Sequence, residues 1–228
     1  MFICVLRYRP VCVLALKQTG LYYVNMPSRI KGARQADAHS SDEVRERILR
    51  TASELFYREG ARAVGVDLVV EQAGVAKTSL YRHFRTKDDL IAAFLEREDE
   101  QFWQQWDSVA QRHRSDAQAE LDAHMRWIGE RIARKNYRGC PQLNMAAEFP
   151  EAEHPARVVA ASHKQELRAR LEGIADRLGA RRPNDLAAQL VLLVNGAFVS
   201  SQVIAADEGV PVLLAASHAL VAAARELR

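Results

Sequence analysis

Apolar residues recur at intervals of three and four positions along most of this chain, which is the spacing of one face of an α-helix. Runs that alternate between apolar and polar residues, as half-buried strands do, are hard to find. Glycine and proline stand between the successive helical stretches and mark their ends. The pattern therefore predicts an all-α fold.

The first helix is predicted to begin at Ser40, which forms a capping box with Glu43, and to end at Gly60. One face of this helix is apolar, and its residues are Val44, Ile48, Ala52, Leu55 and Phe56. Because two shorter helical stretches follow directly, we expect this face to support both of them.

The two short stretches are joined at Gly74, which can adopt the left-handed conformation that ends a helix. Val75 can fill the space between the two helices. In the second helix Leu80 and Phe84 lie four residues apart and face inward, so the cationic and hydroxyl side chains between them face outward. This arrangement is a helix-turn-helix.

The segment AGVAKTSLYRHFRTKDDL, residues 73–90, resembles the DNA-binding region of the TetR family of one-component transcriptional regulators. The residues that carry the resemblance are Gly74, Val75, Lys77, Leu80, Tyr81, His83, Phe84, Lys87 and Leu90. Thr86 and Asp89 form a capping-box-like pair that begins a third helix. Gly65 and Ala76 depart from the family pattern, because they stand where a serine or threonine commonly caps these helices.

The resemblance implies a ligand-responsive transcriptional repressor that binds a palindromic operator in double-stranded DNA as a homodimer and is released by a small apolar or aromatic effector. One recognition helix contacts too few base pairs for useful specificity, so two helices related by a dyad are needed. The DNA-binding residues implied are Lys77, Thr78, Ser79, Tyr81 and Arg82 near the bases, and His83, Thr86 and Lys87 at the phosphates.

The formal charge of +3 is too small to indicate a nucleic-acid partner by itself. Positive charge is concentrated in residues 28–36 and in the recognition segment, whereas later segments are mixed or acidic. A structural protein that coats DNA without sequence preference would need positive charge in the C-terminal half as well. That function is therefore the less favoured alternative.

The cysteines are Cys4, Cys12 and Cys140. They form no CxxC pair and no metal-ligand spacing, which favours a reduced, cytoplasmic protein without a metal or cofactor. An apolar run near the N-terminus superficially resembles a signal peptide, but Lys17 ends it too early for a leader or a membrane span. We expect residues 1–39 to be a disordered or basic N-terminal extension.

Residues 40–86 are predicted to form the helix-turn-helix DNA-binding domain, and residues 87–228 a helical ligand-binding and dimerisation domain. Helices of the second domain are predicted at residues 87–108, 117–135, 155–179, 185–206 and 212–227. Residues 137–157 contain several prolines and are predicted to be irregular. The helix that begins at Lys87 joins the two domains and is the expected transmitter between them.

A small-molecule pocket is expected among the C-terminal helices. His124, Trp127 and Arg131 share one helix face, although Trp127 could instead pack in the core while Arg131 extends to solvent. The segment over residues 140–149 resembles a stretch that lines the pocket in a subset of the family. The candidate ligand-binding residues are His124, Trp127, Arg131, Cys140, Asn144, Met145, Phe149, Asn195 and Phe198.

The helix predicted at residues 185–206 is apolar nearly all round and must be covered on two sides. With the alanine-rich last helix it resembles the family's four-helix dimer interface, in which each subunit supplies two helices. The alternative is that both helices form the core of a monomer. The predicted interface residues are Leu190, Leu193, Ala197, Ile204, Ala216 and Leu220.

No enzymatic activity is predicted. Cys140 with His124 or His163 could supply a nucleophile and a base, but the chain has no nucleophile elbow and no acid at a telling spacing. A regulator that senses redox conditions through Cys140 is the alternative to one that binds an effector.

Overall fold

The computed structural model describes residues 29–226, and the side chains of residues 41–226. Cys4, Cys12 and the first 28 residues of the predicted extension lie outside the described residues. The chain divides into two units, residues 1–39 and 40–228, and the second unit contains the described hydrophobic cores and cavities. Within the described residues the fold is all-helical, as the sequence pattern predicts.

Nine helices occupy the described part of the chain. They are α1 (Arg29–Glu59), α2 (Val66–Ala73), α3 (Lys77–His83), α4 (Lys87–Arg112), α5 (Ala117–Ile132), α6 (Pro141–Glu148), α7 (Pro155–Arg177), α8 (Pro183–Ser200) and α9 (Gly209–Glu226). None of these helices is both long enough and apolar enough to span a membrane.

Helices α1, α2 and α3 and the first turns of α4 share one hydrophobic core, called here the first core. Gly74 ends α2 with a φ of 62°, in the predicted left-handed conformation. The turn lets α3 bury Leu80 and Phe84, which are 0% and 3% exposed. At the start of α4 the predicted capping box is confirmed, because the Thr86 hydroxyl accepts from the Asp89 N–H and the Asp89 carboxylate accepts from the Thr86 N–H.

A second core lies between the C-terminal part of α4 and helices α5, α7, α8 and α9. The predicted apolar face of α7 is confirmed. Its buried residues include Ala160, His163, Leu167, Leu171 and Ile174, and the buried Leu178 follows directly after the helix. The predicted domain boundary at residue 87 falls on the first residue of α4, which contributes side chains to both cores.

Three predicted boundaries differ from the structure. Helix α1 begins at Arg29, so Ser40 lies inside it and does not cap it, because the residues before Ser40 are mostly good helix formers. Residues 141–148 form α6 within the segment predicted to be irregular, since Pro141 stands in the first turn, where its missing N–H is not needed. Helix α8 ends at Ser200, and the residues predicted to continue it form turns.

Gly129 marks a close crossing of α5 with the start of α9. A Cβ atom on Gly129 would lie 2.6 Å from Val210 Cγ2 and 2.8 Å from Val210 Cα. We expect Gly129→Ala to force the two helices apart and to lower the free energy of unfolding by about 1–3 kcal/mol.

The matched control is Gly173→Ala in α7, because a Cβ on Gly173 would meet no atom within 4 Å. Alanine is the better helix former, so this variant should be neutral or more stable by up to about 1 kcal/mol. Urea unfolding compares the two variants. Equal stability of both would show that the α5–α9 crossing has room for a side chain.

Candidate DNA-binding surface and effector cavities

Helix α3 places most of its polar side chains on the exposed side. Lys77, Thr78, Tyr81 and Arg82 are exposed, whereas Ser79 and His83 are half-buried. The cause is the helical register, because Leu80 and Phe84 are held in the first core and the positions between them face away from it. The predicted base-contacting residues thus share one surface.

Lys77 forms an ion pair with Asp67 of α2, with 2.6 Å between Nζ and Oδ1, and this pair raises the pKa of Lys77. Both side chains are exposed, so the pair is weak and a phosphate or base can replace the carboxylate. As expected, Gly65 and Ala76 supply no side-chain cap to α2 and α3.

Two of the predicted phosphate contacts have structural partners as well. The Thr86 oxygen accepts the Asp89 N–H, and its own hydrogen remains available to donate to a phosphate. Lys87 donates from Nζ to the Arg62 carbonyl oxygen at 3.4 Å, and burial lowers the pKa of Lys87. Lys87 therefore also holds the segment between α1 and α2, a role that the sequence did not reveal.

The structure does not bring the predicted ligand-binding residues into one site. His124 is fully buried and stacks on Trp106, with 3.7 Å between ring centroids. Trp127 packs in the second core against Phe102, with centroids 4.9 Å apart. Both rings are enclosed by other core side chains, as the alternative of a core Trp127 expects, and a pocket wall formed by His124 and Trp127 stays a prediction.

The ligand-binding candidates on and next to α6 lie in different cores. Met145 and Phe149 pack in the first core, whereas Cys140, at the start of the helix, packs in the second. Asn144 and Met145 line a cavity of about 270 Å³ beside α1 and α4. The predicted pocket segment is thus a short helix with a face in each core, and its residues point to different places.

Two further cavities lie around α4 and α5. The inner cavity, of about 10 Å³, is lined by Glu98, Phe102, Arg131, Cys140, Pro141, Gln142, His163 and Phe198. The outer cavity, of about 320 Å³, is lined by Ser53, Glu54, Tyr57, Glu98, Arg131, Arg134, Asn136 and Tyr137. Glu98 and Arg131 line both, and their side chains pair at 3.9 Å. The inner cavity brings together Arg131, Cys140 and Phe198 of the predicted set.

Lys164 of α7 lies beside the inner cavity. Its Nζ donates to Asn195 Oδ1 at 2.8 Å, lies 3.8 Å from Cys140 Sγ, and stands 5.6 Å from the ring centroid of Phe198. Burial lowers the pKa of Lys164. Asn195, a polar residue on a mostly apolar helix, thus has a lysine of the same chain as its hydrogen-bond partner.

Sequence reasoning missed most of the inner-cavity residues. His163 had a visible signal, because it is a titratable residue on the predicted buried face of α7. Gln142 and Lys164 had none, since their positions matter only once α6, α7 and α8 are packed together.

Two side chains, of Tyr57 and Glu148, form hydrogen bonds that connect α6 and the residues before it to the DNA-binding helices. The Tyr57 hydroxyl donates to the Gly139 carbonyl oxygen at 3.2 Å and accepts from the Arg138 N–H at 2.9 Å. The Glu148 carboxylate accepts from the Arg62 N–H at 2.8 Å, in the segment between α1 and α2. A displacement of α6 would therefore disturb both the end of α1 and the segment that leads into α2.

The predicted interface residues differ in their burial. Leu190 and Ala197 are 0% and 5% exposed within the chain and belong to the second core, which corrects their assignment to an interface. The half-buried members are Leu193, Ile204, Ala216 and Leu220. The large exposed apolar side chains of α8 are instead Leu192 and Val199, at 72% and 68%, and they lie two turns apart on one face.

The helix-turn-helix segment of this chain is similar to that of known regulatory proteins. Residues 48–94 match the family described as bacterial regulatory proteins, tetR family. The transcriptional activator FasR of Mycolicibacterium smegmatis is 41% identical over 66 residues, which are 29% of this chain and 30% of that protein. The matched segments span only 30–40% of the length of the curated relatives. These relatives are regulators of transcription rather than enzymes.

Solved structures are similar over a much longer part of the chain. A TetR-family transcriptional regulator from Streptomyces coelicolor has a TM-score of 0.77 and 29% identity, over 81% of this chain and 97% of that one. A putative TetR transcriptional regulator from Streptomyces avermitilis has a TM-score of 0.65 and 30% identity, over 79% and 97%. The likeness therefore extends through the C-terminal helices.

His124 gives the protein a predictable response to acid. Burial lowers the pKa of His124 to about 3 from 6.5, so the folded chain keeps the ring neutral while the unfolded chain takes up a proton below about pH 6.5. The stability that depends on a neutral His124 is present above pH 6.5 and is lost as the pH falls.

We expect His124→Phe, which keeps an aromatic ring against Trp106, to remove this pH dependence. Between about pH 6 and pH 4 the difference in unfolding free energy between the native chain and the variant should change by about 1 kcal/mol per pH unit. Urea unfolding at several pH values measures the difference. If the unfolding free energies of the two chains change in parallel with pH, His124 takes up its proton while the chain stays folded.

Proposed function

The chain belongs to the TetR family of bacterial regulatory proteins, and we propose that it is a ligand-responsive repressor that binds a palindromic operator as a homodimer. The observation that carries this proposal is the exposed side of α3, where Lys77, Tyr81 and Arg82 lie opposite the buried Leu80. A helix of this kind enters the major groove, where lysine and arginine pair with guanine. FasR is named an activator, so the direction of regulation needs its own test. Transcription from the operator, measured with and without the protein, shows whether the chain represses or activates.

We expect Lys77→Ala and Tyr81→Ala each to weaken binding to a selected operator by about 1–3 kcal/mol, because each removes a base contact. Lys87→Ala should weaken binding to all sequences alike, since a phosphate contact carries no sequence information. Gel-shift titrations at one fixed salt concentration, with a duplex selected from a random pool, measure both effects.

Arg112→Ala is the control, because Arg112 is exposed in the last turn of α4, about 25 residues and so roughly 37 Å from its start. Its operator affinity should equal that of the native chain. If Lys77→Ala and Tyr81→Ala bind as tightly as Arg112→Ala does, α3 is not the recognition helix.

The dimer is supported by the apolar side chains that α8 and α9 leave uncovered. Leu192 and Val199 of α8 and Val212 of α9, the last 50% exposed, would meet water in an isolated chain. Large apolar side chains left exposed on two helices that pack against each other indicate an interaction site. A second copy related by a two-fold axis would cover it and would also supply the second recognition helix that a palindrome needs.

We expect Leu192→Glu to convert the dimer into folded monomers, because it places a charge in a surface buried between subunits without touching the second core. Leu193→Glu is a less selective test, since Leu193 is half-buried and packs against that core. Val158→Glu is the matched control, because Val158 is 58% exposed on α7. Sedimentation velocity measures the oligomeric state of both variants. If the Leu192→Glu variant is still a dimer, the interface lies elsewhere.

The effector is proposed to bind at the inner and outer cavities and to act on DNA through α4 and α6. It must favour a state in which the recognition helices no longer match successive major grooves, because only differential affinity for two states shifts their equilibrium. The contacts of Tyr57 with Gly139 and of Glu148 with Arg62 support this route, since both connect the cavity side of the chain to the DNA-binding helices.

The redox alternative at Cys140 has less support. Cys140 is 6% exposed, and it is the only cysteine among the residues that the structure describes. Oxidation generally requires an accessible thiolate, and a disulfide requires a second thiol nearby. An oxidant that releases the operator from the native chain but not from Cys140→Ser would favour the redox route.

A further inference from the structure

Two buried side chains at the inner cavity have an atom without a hydrogen-bond partner among the described residues. Gln142 is 2% exposed and donates from Nε2 to the Leu95 carbonyl oxygen at 3.0 Å, which fixes the orientation of its amide and leaves Oε1 unpaired. His163 is also 2% exposed, and its Nε2 is unpaired. Buried polar atoms are rarely left without partners, so this pair points to an occupant that supplies one.

The unpaired atom of His163 is an acceptor, as is that of Gln142. His163 Nδ1 contacts the Asp99 carboxylate, and because a carboxylate can only accept, the hydrogen lies on Nδ1. Burial lowers the pKa of His163, and the hydrogen bond to Asp99 offsets this only in part. The neutral ring therefore offers a lone pair at Nε2.

The surroundings of these two acceptors include aromatic rings and cationic side chains. Phe102 and Phe198 line the inner cavity, with Trp127 behind Phe102. Lys164 contacts Cys140 and Phe198, which both line the cavity, and none of the carboxylates among the described residues forms an ion pair with Lys164. An occupant of the inner cavity would thus meet two acceptors, the donors of Arg131 and of the neighbouring Lys164, and apolar ring faces.

We propose that the effector is an aromatic molecule that bears a hydroxyl group, with the hydroxyl in the inner cavity. This inference rests on the effector role proposed above and names the chemical class. The hydroxyl donates to Gln142 Oε1 or His163 Nε2 and accepts from Lys164, which matches its single hydrogen and its lone pairs. A carboxylate has no hydrogen to give either acceptor, and a hydrocarbon leaves both unpaired.

The inner cavity of about 10 Å³ has room for little more than a water molecule, so it holds the hydroxyl alone. The aromatic body of the effector lies in the outer cavity, where Tyr57 and Tyr137 supply the ring faces. Glu98 and Arg131 line both cavities, so separation of this ion pair opens one cavity to the other. Tyr57 lines the outer cavity and also binds Gly139. An effector in this position would therefore touch a residue that connects α1 to the segment before α6.

Calorimetric titration of the full chain with three probes of similar shape tests the hydroxyl preference. The probes are para-ethylphenol, para-ethyltoluene and para-ethylbenzoate. We expect para-ethylphenol to bind about tenfold more tightly than either of the others, because it alone satisfies a buried acceptor. Equal affinity for the phenol and the toluene, tighter binding of the benzoate, or no binding of any probe would overturn the inference.

Gln142→Met removes one acceptor at nearly constant length and should cut the preference for phenol over toluene by about fivefold. Gln101→Met, the same substitution at an exposed position of α4, should leave the preference unchanged. Lys164→Met provides a second variant should Gln142→Met fold poorly, and it should also reduce the preference. A preference that survives in both cavity variants would overturn the inference.

Operator binding by the same preparations separates this inference from the proposed function. A native chain that binds its operator but shows no hydroxyl preference overturns the effector class alone. A native chain that binds para-ethylphenol but no DNA supports the site while contradicting the regulator.

Discussion

The structure depends on the continuity of helix α4 through both hydrophobic cores. Residues 90–95 of its 26 residues pack with the DNA-binding helices, and residues 102–109 include the side chains that pack with α5 and α7. A helix cannot bend sharply without losing backbone hydrogen bonds, so the placement of α3 is tied to packing far along α4. Helix α6 makes a second connection, because Met145 and Cys140 lie in different cores.

The parts of the fold that depend only on residues close together in the sequence could be predicted from the sequence. Gly74 with Val75 sets the turn, Leu80 sets the inward face of α3, and Thr86 with Asp89 begins α4. Each of these features needs only a few consecutive residues, whose chemistry allows few conformations. This is why the helix-turn-helix could be identified from the amino-acid sequence alone.

The sites in the C-terminal half depend on which helices face each other, and that information is not local. Helix α8 is apolar nearly all round, so its periodicity could not show that Leu190 faces the second core while Leu192 faces away. The same limit applies to the cavities. His124 and Trp127 share a helix face as predicted, yet that face is closed by Trp106 and Phe102, which belong to another helix.

Helices α4 and α6 are proposed to couple the cavity side of the chain energetically to its DNA-binding side. Coupling between two sites is reciprocal, so operator binding must affect α6 even without an effector. Amide hydrogen exchange of the full chain, with and without a selected operator duplex, tests this directly. We expect altered exchange in residues 141–148 as well as in residues 66–90. Changes confined to residues 66–90, with exchange in α6 unaffected by saturating operator, would contradict it.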